Sequence, residues 1–365
     1  MEALDSKRGE AASYGKMKKY LLPDNVNWYR ANMHCHTTCS DGTLTPEEVK
    51  EAYKGMGYSI VAYTDHEIML DHSDLNDKDF LALTSSEYSV NEAVATFPQL
   101  GENDGEWQRK KVVHLNVFNP RPHDTFQPAT SDDQFWHLKD RYKGVFKGDG
   151  FIREYSTEGV NEMIRRCNEA GFLVQLNHPN WSLNEKEDYT SYRGLWALEI
   201  LNYATECISG AEYCPYIYDE MIRAGMHGLY CTMGDDNHNR GRSLGHSFGG
   251  STMIGAKELE YGQIFDALKN GEFYCTSGRI DPPLIKSLYV EDNIVKLDCS
   301  PAVAVFLNGY CRAFRFYDED GKEFTHAEFP LQESDVMFRI TVRDKHGNNA
   351  HTRYYNVADY IEKGE

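Results

Sequence analysis

The chain has no apolar run long enough to cross a membrane, no Cys-x-x-Cys pair and no excess of positive charge. Each absence excludes something. A transmembrane helix needs about 20 consecutive apolar residues. Residues 1–20 are polar and charged, without the apolar segment of a signal peptide, so a cytoplasmic location is expected. The nine cysteines, odd in number and without zinc-knuckle spacing, read as reduced thiols rather than a disulfide framework. The formal net charge is −19, from 57 Asp and Glu against 38 Lys and Arg. Basic residues gather only in "KMKKY" near the start and in "QRKKV" at 108–112. Nucleic-acid polymers are held by a basic surface that neutralises phosphates, so neither DNA nor RNA is an expected partner. A small anionic substrate stays compatible, because bound metal ions create a local positive field inside an acidic protein. Internal repeats and low-complexity tracts are also missing.

What is present is enough to build a large core. With 365 residues and 41% hydrophobic content, the length prior is two domains, or one large barrel with an appendage. Residues 1–27 read as a polar arm. From Trp28 onward, short apolar strands alternate with helices. "WYRANMHCH", "SIVAYTDH", "FLALTSSEYSV", "VVHLNVFN", "FLVQLNHP", "LWALEILN" and "GLYCTMGDDNH" are the strand segments. "TPEEVKEAYKGMG" is a helix with explicit ends: Thr45 as N-cap, Pro46 in the first position, Glu48 closing a capping box, and Gly55 and Gly57 as stops. Such alternation implies an α/β fold with parallel strand pairing. Two polar stretches, roughly 91–110 and 120–150, show no regular pattern, and loops of that length are usually functional or mobile. Near Gly278 the texture changes to short β-rich runs separated by turns, among them Asp320–Gly321 and Gly347–Asn348. Residues 281–365 are therefore expected to form a small all-β, Ig-like sandwich behind a main unit at 28–280.

The polar residues on those strands carry the chemistry. His34 and His36 are two apart on an extended segment, so both rings point to one side. Asp41 lies in the turn behind them. Asp65 and His66 end the second strand, Glu87 the third, His178 a later one, and Asp236 and His238 the last; His114 sits within the fourth. In α/β folds the C-terminal strand ends form the functional face. Mixed imidazole and carboxylate donors suit Zn²⁺, Mn²⁺ or Fe²⁺ and do not suit Ca²⁺ or a thiolate site. Leaving Asp65 aside, nine such positions exceed what one ion needs, so two or three divalent ions sharing carboxylates are expected.

Taken in order, "HCH" with "SDG" behind it, "TDH", the isolated Glu87, His114, "NHP" and "DDNH" resemble the PHP (polymerase and histidinol phosphatase) family of metal-dependent phosphoesterases, over roughly Trp28 to Gly278. The resemblance implies a distorted (β/α)7, TIM-like barrel with a binuclear or trinuclear site. One ion would be held by His34, His36, Glu87 and Asp236. A second would take Glu87, His114 and His178, and a third Asp41, His66 and His238. Asp65 is assigned to the site beside His66, as a ligand or as a group orienting one; the competing reading is a cap on the turn after its strand. The implied reaction is hydrolysis of a small phosphate monoester or diester by a metal-bridged hydroxide. Arg240 and Arg242, just past the last ligands, are candidates for contacting the phosphate.

Two other readings compete. Amidohydrolases also begin with a His-x-His strand, but need a bridging lysine or carboxylate on a middle strand and a lone final Asp. A non-catalytic metal-bound scaffold would show lost ligands, and none is visibly lost. His72, His123, His137, His227, His246, His326, His346 and His351 have no supporting context and read as structural or solvated.

Overall fold

A computed structural model describes residues 18–92, 95–98, 106–134, 139–142, 144–311 and 314–361. Residues 1–17 of the expected arm, and His137, lie outside the described residues.

The strands, in chain order, are β1 (Lys19–Tyr20), β2 (Asn27–Asn32), β3 (Ile60–Tyr63), β4 (Leu81–Asn91), β5 (Ala95–Pro98), β6 (Glu106–Arg109), β7 (Val112–Phe118), β8 (Phe126–Gln127), β9 (Lys147–Gly148), β10 (Leu173–Leu176), β11 (Ala197–Asn202), β12 (Tyr230–Gly234), β13 (Gly250–Ala256) and β14 (Phe273–Ser277). They continue as β15 (Ile285–Glu291), β16 (Ile294–Ala302), β17 (Ala304–Gly309), β18 (Arg315–Tyr317), β19 (Phe324–Pro330), β20 (Met337–Arg343), β21 (Asn349–His351) and β22 (Tyr355–Asn356). Thirteen of them run in the order β12-β11-β10-β7-β4-β3-β2-β13-β14-β21-β20-β17-β18, with β22 attached to β20, giving one 14-stranded sheet. The fold is mixed α/β, with one large sheet and few helices.

The pairing departs from the all-parallel expectation. β2, β3 and β4 are parallel, as are β10, β11 and β12, but β7 runs antiparallel to both β4 and β10, and β13 antiparallel to β2. The connection from β4 to β7 runs through the β5–β6 hairpin rather than a helix. A hairpin-type return requires no crossover, so the strand comes back reversed. Nor does the backbone ladder close into a ring, since β12 is an end strand. Beyond the strands the chain still meets across this seam: Asp236 N donates to His34 O at 2.9 Å, and Cys35 and Asn237 form an isolated parallel bridge. The 14-stranded sheet therefore curls so that the segments after β2 and β12 touch.

Helices pack against the sheet through their apolar faces. The helix Pro46–Gly55 has the expected capping box, with Glu48 N donating to Thr45 Oγ1 and Thr45 N to the Glu48 carboxylate. Its buried Val49 and Tyr53 are four apart, on one face. The helix Thr157–Glu169 buries Val160, Met163, Ile164 and Cys167, the i, i+3, i+4, i+7 stripe of an amphipathic helix, and Ser156 caps it. The helix Tyr261–Asn270 ends at Gly271 with φ 71°, a left-handed stop that glycine adopts without strain.

The C-terminal strands do not stand apart as a self-contained sandwich. β17, β18, β20 and β21 extend the large sheet through the β14–β21 ladder, whereas β15, β16 and β19 form a second, four-stranded sheet with β1. A shared core lies between the two layers, made of Leu288, Val295, Leu297 and Phe329 on one side and Val305, Leu307, Ile340 and Val342 on the other. Met253 and Tyr274, before the expected boundary at 281, belong to this core. So do Leu21 and Leu22, whose chain is tied down where β1 pairs with β15. Burial of each leucine stabilises by roughly 1.5–3 kcal/mol, so the described part of the expected polar arm is a packed clasp. Arg339 on β20 fixes the two halves further, donating to both Asp219 oxygens at 2.7 and 3.0 Å.

Candidate metal centre

At the strand ends beside the seam, the chain gathers its donors into three overlapping groups. These are His34, His36, Glu87 and Asp236; then Glu87, His114 and His178; then His36, Asp41, His66 and His238. In each group one ligand atom per residue lies within 4.8 Å of every other. His36 belongs to two of them, one more than the resemblance implies.

Glu87 is the hub. Its Oε1 lies 3.3 Å from His34 Nε2, 3.0 Å from His114 Nδ1 and 3.2 Å from His178 Nε2. Its Oε2 lies 3.3 Å from His36 Nε2 and 3.0 Å from His66 Nδ1. Asp236 Oδ1 is 2.9 Å from His36 Nε2 and 3.4 Å from His34 Nε2, and Asp41 Oδ1 is 3.2 Å from His238 Nε2. The reversal of β7 explains His114. A residue near the start of an antiparallel strand lies at the same sheet edge as residues ending its parallel neighbours. His114 pairs with Ser89 across the ladder, and its carbonyl accepts from Asn177 N.

The donor chemistry fits divalent cations. Glu87 Oε2 and Asp236 Oδ1 are buried and make no hydrogen bond, although imidazole nitrogens lie about them at the distances above. Close approach without hydrogen-bond direction is what donors aimed at a common cation give. His34 Nε2 and His36 Nε2 face each other at 3.2 Å, where at most one can carry the bridging proton. Burial works against charge on His34, but the Asp236, Glu199 and Glu87 carboxylates outweigh it and raise its pKa well above normal. His66 is likewise pushed up, to about 9: burial opposes its charge, and Glu87 and Asp41 overcome that. For Glu87 and Asp236, burial disfavours the charge, yet the surrounding imidazoles hold both carboxyls well below their usual range. His114 goes the other way, lowered by burial.

A supporting set of residues escaped sequence reasoning. Glu199, fully buried on β11, meets His34 Nδ1 at 3.0 Å, and its other oxygen accepts from His178 N at 3.2 Å and Asn202 Nδ2 at 3.0 Å. A carboxylate behind a ligating imidazole fixes its tautomer and raises its basicity. The available signal was a glutamate inside the otherwise apolar "LWALEILN". Gly234 makes room for this pair: a Cβ there would sit 2.9 Å from both Glu199 Oε1 and His34 Cβ. Asn177 donates to Glu87 at 2.8 Å, Asn202 to Asp236 at 3.1 Å, and Ser182 Oγ lies 3.0 Å from His178 Nδ1. His178 and Asp236 both have positive φ, 24° and 52°, a conformation that costs a non-glycine residue about 1–3 kcal/mol and concentrates at functional sites.

Other expected residues fall elsewhere. Asp65 faces away from the three groups. Its carboxylate accepts from Thr37 N at 2.8 Å, Ser40 N at 3.0 Å, Ser40 Oγ at 2.6 Å and Thr37 Oγ1 at 2.7 Å, so it buttresses the loop that carries Asp41. Cys39 and His72 approach it as a fourth cluster. Arg242 is turned outward and pairs with Glu48. Arg240 lines a cavity of about 420 Å³ above the donors, together with His246, a histidine that has no sequence context to single it out.

No family model and no curated protein matches the chain. Solved structures do. A two-domain protein from Bacteroides vulgatus ATCC 8482, containing a predicted PHP-like metal-dependent phosphoesterase, is 14% identical, with 93% of this chain and 97% of that one covered and a TM-score of 0.44. A candidate metal-dependent phosphoesterase from Bifidobacterium adolescentis ATCC 15703 is 18% identical over 58% of this chain and 88% of that one, with a TM-score of 0.33. An amidohydrolase from Chromobacterium violaceum, with bound sulfate and no metal, is 16% identical over 57% and 87%, with a TM-score of 0.30. Among the described residues, no helix is long and apolar enough to cross a membrane.

Glu199→Gln should weaken divalent-metal affinity about 10–100-fold while the chain stays folded, as read by competition with a chromogenic chelator. An unchanged affinity would remove Glu199 from the site. The pH dependence has a definite sign. A raised histidine pKa contributes stability that is complete below the ordinary 6.5 and lost as pH rises toward about 9, as for His66. The depressed carboxyls of Glu87 and Asp236 contribute above their ordinary values and lose that contribution as pH falls. The melting temperature of chelator-treated protein should therefore fall between pH 6.5 and 9, whereas protein in excess Mn²⁺ should gain relative stability over that span, because ions compete with protons for the imidazoles.

Proposed function

We propose that this chain is a PHP-type metal-dependent phosphoesterase that hydrolyses a small phosphate monoester or diester. The observation that carries the reading is Glu87, one buried carboxylate whose two oxygens reach into separate donor groups. Sharing a carboxylate is how neighbouring ions are held close enough to act on one phosphoryl group. The seven strands from β12 to β2, curled around the donors, fit an opened and distorted (β/α)7 barrel, with residues 281–365 as a β appendage.

His34, His36, Glu87 and Asp236 would hold one ion, Glu87, His114 and His178 a second, and Asp41, His66 and His238, with His36 alongside, a third. Zn²⁺, Mn²⁺ and Fe²⁺ suit these donors. Bound divalent ions supply an activated water at neutral pH and neutralise charge on the phosphoryl oxygens. The chain's own groups do the rest. Glu199, Asn202, Asn177 and Ser182 fix the orientation of the imidazoles and carboxylates. Asp65 holds the loop of Asp41 in place. Arg240 lines the cavity wall, where its guanidinium is positioned to meet an anionic substrate. The cavity's size suits a small phosphorylated molecule rather than a polymer. The amidohydrolase reading calls for a lone final Asp, whereas here Asp236 and His238 both stand among the donors.

Metal-reconstituted protein should turn over p-nitrophenyl phosphate or its bis ester. His36→Ala and Asp236→Ala should each lower kcat/KM on the order of 10³-fold, the size of losing several kcal/mol of charge stabilisation. No turnover with any divalent metal, or a fully active His36→Ala variant, would overturn the reading.

A further inference from the structure

The cavity above the donors has walls of unlike character. Asn239, Arg240, Ser243 and His246 give it polar lining. Trp181 and, from the helix Tyr203–Ser209, Ala204 and Ile208, four apart and so on one face, give it apolar lining, with Thr205 between them in sequence. Trp181 is 54% exposed and Ile208 74% exposed. Single exposed apolar residues are ordinary, but two large ones lining one pocket offer it apolar surface.

Trp181 is also held rigidly. Its backbone N–H donates to Glu212 Oε2 at 2.8 Å, and the Asn180 backbone N–H to Glu212 Oε1 at 3.2 Å, so a buried carboxylate pins the loop. The indole packs against His178 and His114, with ring centroids 5.0 and 5.5 Å apart. An aromatic ring fixed by its neighbours yet open to solvent loses little entropy when it binds, which is how binding sites present stacking surfaces.

Resting on the phosphoesterase reading above, we infer that the Trp181–Ile208 wall selects phosphate esters whose organic portion carries a flat ring. The phosphate goes to the donor floor and the ring lies against the indole. The charge pattern fits this occupant: the cationic Arg240 and the metal-donor floor meet the anionic end, and the uncharged wall meets the ring. Aliphatic esters of sugars or amino alcohols gain less from that wall, because they lack a flat ring to stack.

The test is binding of two non-hydrolysable probes, phenylphosphonate and ethylphosphonate, to Mn²⁺-loaded protein by calorimetry. Phenylphosphonate should bind about tenfold tighter, the scale of one ring stacked on an aromatic side chain. Trp181→Ala should bring the ratio of the two dissociation constants close to one, and Trp181→Phe should keep most of it. Ile208→Ser, at an exposed position that does not threaten folding, should reduce the ratio roughly threefold, by loss of apolar contact. Equal affinities in the unaltered protein, or a ratio that survives Trp181→Ala, would overturn this inference and leave the phosphoesterase reading standing. If neither phosphonate binds, that reading fails and the inference with it.

Discussion

Two carboxylates, the buried Glu87 and the partly buried Asp236, set the terms for the rest of the structure. Glu87 has His66 and His114 nitrogens, delivered by different strands, at 3.0 Å, Asp236 has His36 Nε2 at 2.9 Å and His34 Nε2 at 3.4 Å, and each carboxylate keeps one oxygen without a hydrogen bond. In a water-poor interior, leaving a charged oxygen unsatisfied costs several kcal/mol. A divalent cation offsets that cost by neutralising the carboxylates and using the lone pairs of the neighbouring imidazoles at once. Under the proposed reading the site would couple folding to metal binding, its donors arranged for an ion rather than for one another.

The fold is shaped to deliver those donors. Strand direction matters more than strand order: β7 enters reversed and so brings His114 beside Glu87, which lies within β4, and His178, which follows β10. The seam between the segments after β2 and β12 brings His34 and His36 against Asp236 and His238. Tyr53, on the capped helix after the first histidines, reaches the same seam, donating to Asp235 Oδ2 at 2.8 Å or to Asn237 Oδ1 at 2.7 Å. That helix does more than return the chain; it anchors the loop that carries Asp236.

Much of this is legible in the residues themselves. Short apolar segments ending in His, Asp or Glu mark where the donors are, and the capping box marks a helix start without ambiguity. What the pattern omits is direction and partnership. A run such as "VVHLNVFN" reads as a strand whether parallel or antiparallel, because both ladders use the same alternation. Glu199 is hidden by its apolar surroundings, since only the folded chain places it behind His34. Arg242 sits two residues from Arg240 yet points to Glu48, because φ of 63° at Gly241 and 62° at Arg242 turns the chain between them. Leu21 and Leu22 are too few to read as a core segment, although they complete one when β1 joins β15.

The central claim is that Glu87 joins separate donor groups into one multinuclear centre. Elemental analysis of the purified protein and of a folded Glu87→Ala variant tests it most directly. The account predicts two or three divalent ions per chain in the unaltered protein and one or none in the variant, with matching circular dichroism for the two. A metal-free unaltered protein, or a variant that keeps the full complement, would contradict it.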